Sequence, residues 1–333
     1  MRSELLRSLR KPMRPLVETL ANPIPSGTHP GTLKTHDGHD LRYTITPASG
    51  RPLKGTVIVL QGRNEFIEKY FETTADLSHR GFAVANLDWR GQGGSTRLIR
   101  AQDRGYVRSF NDYVSDLEQF FEDVLLPDCR APYYILAHSS GSLTALLAAP
   151  KLANRVRRMV LVAPLLELAG DGPHARLAHF LTRALTLVGL GSLHVTNGPR
   201  QGEMPSFDNN NLTSDPRRFQ RNRELLRLAP ELGSGRPTAA WVSAATTAMQ
   251  QVQEPGFVEK IRIPALIVAA GMDRVVSTPA IENFCRRLRL GNLITIDGAR
   301  HEILQEADYY REQLLAAFDA FIPGSDPDFS SVP

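Results

Sequence analysis

A serine hydroxyl is a weak nucleophile until a neighbouring base takes its proton, so a chain that uses one must hold it on a constrained turn within reach of a histidine and a carboxylate. The stretch Ala137-His138-Ser139-Ser140-Gly141 meets the first demand. Tyr133–Ala137 reads as a buried strand and Ser142–Ala149 as the helix leaving it, which puts Ser139 on a strand-to-helix elbow. Such an elbow needs small residues two before and two after the nucleophile, so that strand and helix can close around the turn. Ser139 has both, in Ala137 and Gly141, whereas Ser140 would have His138 on one side. Taken alone, the stretch is also compatible with an ordinary turn in which serine caps a helix. The partners decide.

A nucleophile on this kind of elbow is followed along the chain first by its acid and then by its base. After His194 one histidine remains, His301, in Asp297-Gly298-Ala299-Arg300-His301, just past the strand-like run Leu293–Ile296. The preceding apolar run, Ala265–Ala270, leads into Gly271-Met272-Asp273, which makes Asp273 the carboxylate that fixes the imidazole tautomer and balances its charge. Asp297 and Glu302 lie closer to His301 in sequence, but neighbours on one loop seldom orient the ring. A surface ion pair with Arg274 is the rival role for Asp273. Two N–H donors must also face the oxyanion. The residue after the nucleophile, Ser140, supplies one. Arg63 supplies the other, from the loop after Leu60-Gln61-Gly62, where Gly62 permits a turn at positive φ.

The elements that must position these groups alternate short β-branched runs with longer amphipathic ones, the pattern of a mostly parallel sheet covered by helices. Gly31–His36 and Asp40–Thr46 form a hairpin about Asp37-Gly38. Thr56–Leu60, Phe82–Leu87, Tyr133–Ala137, Met159–Ala163, Ala265–Ala270 and Leu293–Ile296 supply six further strands. Helices are expected over Glu65–Arg80, Ser109–Leu126, Pro279–Leu288 and Ala307–Phe321. In the second of these, Phe110, Tyr113, Val114, Leu117, Phe120, Phe121 and Val124 recur at three and four. From about 169 to 240 no strand is legible, and a stretch that long is an inserted helical cap rather than a loop. The organisation is therefore a core over 1–168, a cap over 169–240, the rest of the core over 241–322 and a loose tail over 323–333.

Composition narrows the class. The 333 residues carry a net charge of +4, and no apolar run reaches the roughly 20 residues that cross a bilayer. No secretory apolar segment opens the chain. Two cysteines, Cys129 and Cys285, give neither a disulfide framework nor zinc spacing, and the expectation is a reduced, cytoplasmic location. The cluster His36, Asp37, His39 and Asp40 occupies the hairpin turn and reads as solvated rather than metal-binding. No metal, cofactor or nucleic-acid module is called for. Two basic segments suit an anionic lipid surface: Arg2, Arg7, Arg10, Lys11 and Arg14 among Leu5, Leu6 and Leu9, and a helix after Asp215 carrying Arg217, Arg218, Arg221, Arg223 and Arg227.

The sequence resembles the monoglyceride lipase and lysophospholipase group of α/β-hydrolases. Asp88-Trp-Arg-Gly-Gln-Gly-Gly-Ser95 is similar to the group's Asp-x-Arg-Gly-x-Gly-x-Ser loop, and Tyr113-Val-Ser-Asp-Leu117 to its Tyr-Val-x-Asp-Leu helix. Three further stretches resemble bacterial inner-membrane lysophospholipases: Gly62-Arg-Asn-Glu65 with Lys69-Tyr70, Asn211-Leu-Thr213 to Gly235-Arg-Pro-Thr-Ala-Ala-Trp241, and Gly298-Ala-Arg-His-Glu-Ile-Leu304. The resemblance implies an α/β-hydrolase fold with an eight-stranded, mostly parallel sheet and helices on both faces. It also implies hydrolysis of the ester of a single-acyl lipid, at the inner face of a membrane. Two departures stand out: Gln61-Gly62 where monoglyceride lipases carry His-Gly, and Ala137 for the elbow's first glycine. The loop Asp88–Ser95 is expected to be structural, with Asp88 and Arg90 tying down the floor of the site. A general carboxylesterase, thioesterase, peptidase or acyltransferase would use the same triad, and a catalytically dead binding scaffold is the reading from another class.

Overall fold

A computed structural model of the chain describes residues 14–322 apart from 102, 171–172 and 196–198, and for 173–179 the backbone only. The basic segment up to Lys11 and the tail over 323–333 lie outside the described residues.

Eight strands form one sheet in the order β1-β2-β4-β3-β5-β6-β7-β8. They are β1 (His29–Lys34), β2 (Asp40–Thr46), β3 (Gly55–Leu60), β4 (Phe82–Leu87), β5 (Tyr133–His138), β6 (Val156–Val162), β7 (Ala265–Ala270) and β8 (Gly291–Ile296). Only β2 runs against the rest, pairing antiparallel with β1 and β4, while β4, β3, β5, β6, β7 and β8 are joined by parallel ladders. The arrangement is the eight-stranded, mostly parallel sheet that the resemblance implies.

Burial on both faces explains why the central strands read as unbroken apolar runs. Alternate residues feed two cores. Ile58, Leu60, Ile135, Ala137, Leu161 and Ile267 face α2 (Phe110–Phe120), α3 (Ser140–Leu152) and α6 (Ala239–Gln253). Val57, Val59, Leu136, Val160, Val162 and Val268 face the other side, where α1 (Phe71–His79) contributes Leu77 and α8 (Asp308–Phe321) contributes Leu314 and Phe318. Between β6 and β7 the described residues hold no named strand. They include α4 (Pro173–Leu187), α5 (Pro216–Leu228) and α6, and α7 (Thr278–Cys285) lies between β7 and β8. The boundary expected at 240 falls inside α6, because Thr238 caps that helix by accepting from Trp241 N–H and the helix runs on to Gln253. The helix expected from Glu65 starts later, as one tight turn over Ile67–Tyr70 followed by α1.

Several charged side chains are paired within the fold. Arg90 pairs with Asp116 and, at 2.6 Å, with Asp37 of the hairpin turn, whose carboxyl its bond lowers to about 2. Asp88 instead holds Arg42, at 2.6 Å, and accepts from Ile67 N–H and Gly94 N–H. The two residues of the Asp88–Ser95 loop thus anchor different neighbours rather than one floor. The arginines of α5 are similar. Arg218 is buried against Glu72, Asp215 and Asp308, and Arg221 pairs with Glu72 at 2.6 Å. Two of the five arginines on that face thus form an internal seam to the core.

Candidate active site

β5 delivers the nucleophile candidate. At its end Ser139 adopts φ 52° and ψ −116°, a conformation that side-chain-bearing residues avoid unless the surroundings enforce it. Ser139 N–H donates to Val162 O at 3.0 Å, and its own carbonyl accepts from Leu143 and Leu165, so neighbouring strand and helix both hold the turn. Gly141 shows why the flanking residue must be small. A Cβ there would lie 2.3 Å from Leu60 O and 2.5 Å from Gln61 O. Ala137 is fully buried between β3 and β6, with room for a methyl. The helix-cap alternative does not hold, since Ser139 makes no side-chain cap bond to α3.

Its hydroxyl instead meets His301. Ser139 Oγ and His301 Nε2 are 3.0 Å apart, and His301 Nδ1 lies 2.8 Å from Asp273 Oδ2. Asp273 Oδ1 accepts from Val275 N–H at 2.8 Å and Val276 N–H at 3.0 Å. Burial alone would raise the Asp273 carboxyl; the bond and charge of His301 and those two N–H groups outweigh it and hold the carboxyl below its usual range. No ion pair joins Asp273 to Arg274 among the described residues, and Glu302 turns to Lys69 instead. The two loops are fixed to each other past the ends of β7 and β8, through Gly271 N–H to Ile296 O and Met272 N–H to Ala299 O, both 2.9 Å. A side chain on Gly271 would meet Asp297 Cα at 2.9 Å.

The loop after β3 differs from its sequence reading in one respect. The residue at positive φ is Asn64, at 61°, and not Gly62. Glycine is required at 62 for close approach: a Cβ there would sit 2.7 Å from Glu65 Oε2 and 3.0 Å from His138 Nδ1. Asn64 holds the turn by donating its N–H to Gln92 Oε1 at 2.5 Å while its own Oδ1 accepts from Ser234 and Gly235 N–H. Arg63 lies between them, and no acceptor among the described residues takes its backbone N–H. Ser140 opens α3, where the first N–H groups have no intrahelical acceptor.

A buried ionic cluster backs all three loops. Glu65 Oε2 accepts from Gly62 N–H at 2.5 Å and Tyr70 OH at 2.7 Å, and lies 3.1 Å from His138 Nδ1. Lys69 Nζ bridges Glu65 Oε1 at 2.8 Å and Glu302 Oε1 at 2.6 Å. His138 Nε2 lies 3.1 Å from the His301 carbonyl oxygen. Both ring nitrogens of His138 face acceptors, an arrangement that favours the doubly protonated ring. Burial opposes that charge, but Glu65 and then Glu302 raise the His138 pKa above its ordinary value. Two carboxylates, Glu65 and Glu302, thus face Lys69 and His138. The cluster joins the residue before Ser139, the residue after His301 and the residue before Arg63. The motif Gly62-Arg-Asn-Glu65 with Lys69-Tyr70 marked these positions in the sequence, but gave them no partners.

Comparison with known proteins follows the same lines. Residues 51–308 match the family model Hydrolase_4, described as serine aminopeptidase, S33. Lysophospholipase L2 of Escherichia coli K12 is 32% identical over 273 residues, covering 80% of this chain and 79% of that protein. Among solved structures, a thermostable carboxyl esterase from Bacillus coagulans superposes with a TM-score of 0.72 at 19% identity, over 90% of this chain and 98% of its own. A soluble variant of monoglyceride lipase from Saccharomyces cerevisiae, in complex with a substrate analog, gives 0.70 at 19% identity, over 88% and 96%. With most of its length matched, the chain belongs to the Hydrolase_4 family and is a hydrolase of the α/β-hydrolase fold.

Proposed function

We propose that the protein cleaves the carboxylic ester of a single-acyl lipid, lysophospholipid first and monoacylglycerol second, through an acyl-enzyme on Ser139. The observation that carries this reading is the hydrogen-bonded line from Ser139 Oγ through His301 to Asp273. Ser139 Oγ attacks the ester carbonyl while His301 Nε2 takes its proton, and Asp273 stabilises the imidazolium that forms. The N–H groups of Ser140 and Arg63 receive the oxyanion as preorganised donors. Collapse breaks the ester C–O bond, and His301 returns the proton to the departing glycerol oxygen. Water, deprotonated by His301, then releases the fatty acid and restores Ser139. The helical stretch over 169–240 serves as a cap above this centre. Similarity to lysophospholipase L2 supports the lipid class, and the exposed apolar side chains described below support an interfacial substrate.

A hydrolysis panel on purified protein, with fluorophosphonate labelling, tests this. It compares lysophospholipid, monoacylglycerol, a short chromogenic ester, an acyl thioester and, because the family description names an aminopeptidase, an aminoacyl anilide. We expect labelling at Ser139 and highest kcat/KM on a single-acyl lipid. Turnover confined to the short ester removes the lipid class, and absence of labelling removes the serine mechanism.

Membrane contact belongs to the same reading, through a surface other than the one the arginines suggested. Phe180, Leu187 and Val188, on α4 and the turn after it, are 67%, 78% and 70% exposed, and Leu181 and Leu190 are exposed beside them. Singly exposed apolar residues are ordinary, but five along one helix and the turn after it suit an interaction surface. With Arg218 and Arg221 committed internally, apolar insertion dominates and anionic attraction adds to it. Co-sedimentation with neutral vesicles is therefore expected to persist at high salt and to fall when Leu187 and Val188 are changed to serine. Binding only to anionic vesicles, abolished by salt, would return the role to the basic segments.

A further inference from the structure

We propose that the guanidinium of Arg63 recognises the phosphodiester anion of a lysophospholipid held at Ser139, and so selects that lipid over uncharged monoacylglycerol. The inference rests on the single-acyl-lipid reading above and adds the headgroup chemistry to it.

Arg63 directly follows Gly62 on the loop beside the elbow, and its side chain runs toward the segment between β6 and β7. Nη1 donates to Gly235 O at 2.8 Å, and the guanidinium carbon stands 5.6 Å from the centre of the Trp241 ring. A guanidinium offers five N–H donors in a planar fork. Here one is taken, by a neutral carbonyl, and no carboxylate pairs with Arg63 among the described residues. The neighbouring arginines are different. Arg42 lies between Glu68 and Asp88, Arg90 between Asp37 and Asp116, and Arg218 among Glu72, Asp215 and Asp308.

Glu65, two residues away, does not supply the missing charge. Its oxygens are occupied by Lys69, Tyr70, His138 and Gly62 N–H. Burial accordingly works against the cation and pushes the Arg63 pKa down to about 10, with weak opposition from Tyr113 and Glu65. Arg63 is itself partly exposed, so the donors that Gly235 does not take stay open to an arriving anion, which would supply the missing counter-charge. Phosphate matches the planar fork, which can grip two of its oxygens at once. The backbone N–H of Arg63 sits by the ester carbonyl in the mechanism above, and an arginine side chain is about as long as the glycerol between carbonyl and phosphate. A monoacylglycerol would offer this guanidinium only a hydroxyl.

The competing explanation is structural: Arg63 would merely fasten the strap at Gly235 to the core. Arg97 provides the comparison, because it holds the same strap through the carbonyls of Glu231 and, at 3.2 Å, Gly233, also without a carboxylate partner among the described residues. The test measures kcat/KM for lysophosphatidylcholine and for monoacylglycerol of the same acyl chain in the wild type, Arg63→Gln, Arg63→Lys and Arg97→Gln. Taking the ratio within each protein cancels any general damage to the oxyanion loop. We expect the phospholipid-to-neutral ratio to fall on the order of 10- to 100-fold in Arg63→Gln, the scale of a lost hydrogen bond between charged groups. Arg63→Lys should recover part of it, and Arg97→Gln should leave it unchanged. An unchanged ratio in Arg63→Gln, or an equal fall in Arg97→Gln, overturns the proposal. If the wild type cleaves neither lipid, it is the single-acyl-lipid reading that fails. Inhibition of short-ester hydrolysis by glycerol 3-phosphate then decides Arg63 alone: inhibition lost in Arg63→Gln supports the site, and inhibition retained overturns it.

Discussion

Ser139→Ala is expected to lower ester hydrolysis on the order of 10⁶-fold, the scale on which removing a triad nucleophile acts, and to abolish fluorophosphonate labelling. The fold should survive. Among the described residues the hydroxyl's one hydrogen bond is to His301, and alanine keeps the Cβ and the backbone that Val162, Leu143 and Leu165 hold. A melting temperature within a few degrees of the wild type would separate lost chemistry from lost structure. Ser140→Ala is the frame control. It retains the N–H assigned to the oxyanion, so labelling should persist; if Ser140→Ala is the dead variant and Ser139→Ala is active, the elbow has been read one residue out.

His301→Ala should be about as damaging as the serine change, and Asp273→Asn should cost about 10⁴-fold. The reason for the graded loss lies in the carboxylate's second oxygen. Asp273 Oδ1 accepts from Val275 and Val276 N–H, so an asparagine would turn its carbonyl oxygen toward those donors. Its NH₂ would then face His301 Nδ1 and force that nitrogen to accept, leaving the proton on Nε2. An Nε2 that already bears a proton cannot take one from Ser139. The role of Asp273 has a pH dependence of its own. Its carboxyl is held below the usual range, so its contribution is present at neutral pH and is lost only as pH falls through the lowered value. Undiminished turnover in Asp273→Asn would move the acid elsewhere, with Asp297 the first to test.

The members of this arrangement come from distant parts of the chain, with His301 162 residues beyond Ser139 and 28 beyond Asp273. They were nevertheless legible, because each sits at the end of a strand whose apolar run announces it. The runs Asp40–Thr46, Phe82–Leu87 and Ala265–Ala270 coincide with β2, β4 and β7 residue for residue. In a parallel sheet the strand ends lie on one edge, so the order of runs already implies which loops converge. The helix from Phe110 was equally plain from its spacing, although its last turn opens into a wider coil over Phe121–Leu125.

The sequence by itself determined the fold class, the frame of the elbow and the three residues whose side chains meet, since all of these follow from local periodicity, residue size and chain order. Only the tertiary structure decided where the charges go. Glu65, Lys69, His138 and Glu302 come from three separate stretches and form one cluster, while Arg218 and Arg221 of α5, on a helix face whose sequence suits an anionic surface, turn inward to Glu72. Gly62 likewise proved to be small for the sake of a neighbour's side chain rather than for its own backbone angle. Hydrophobic pattern has a period that a sequence displays, whereas an ion pair depends on which distant segments fold together, and nothing in the local spacing of charges records that.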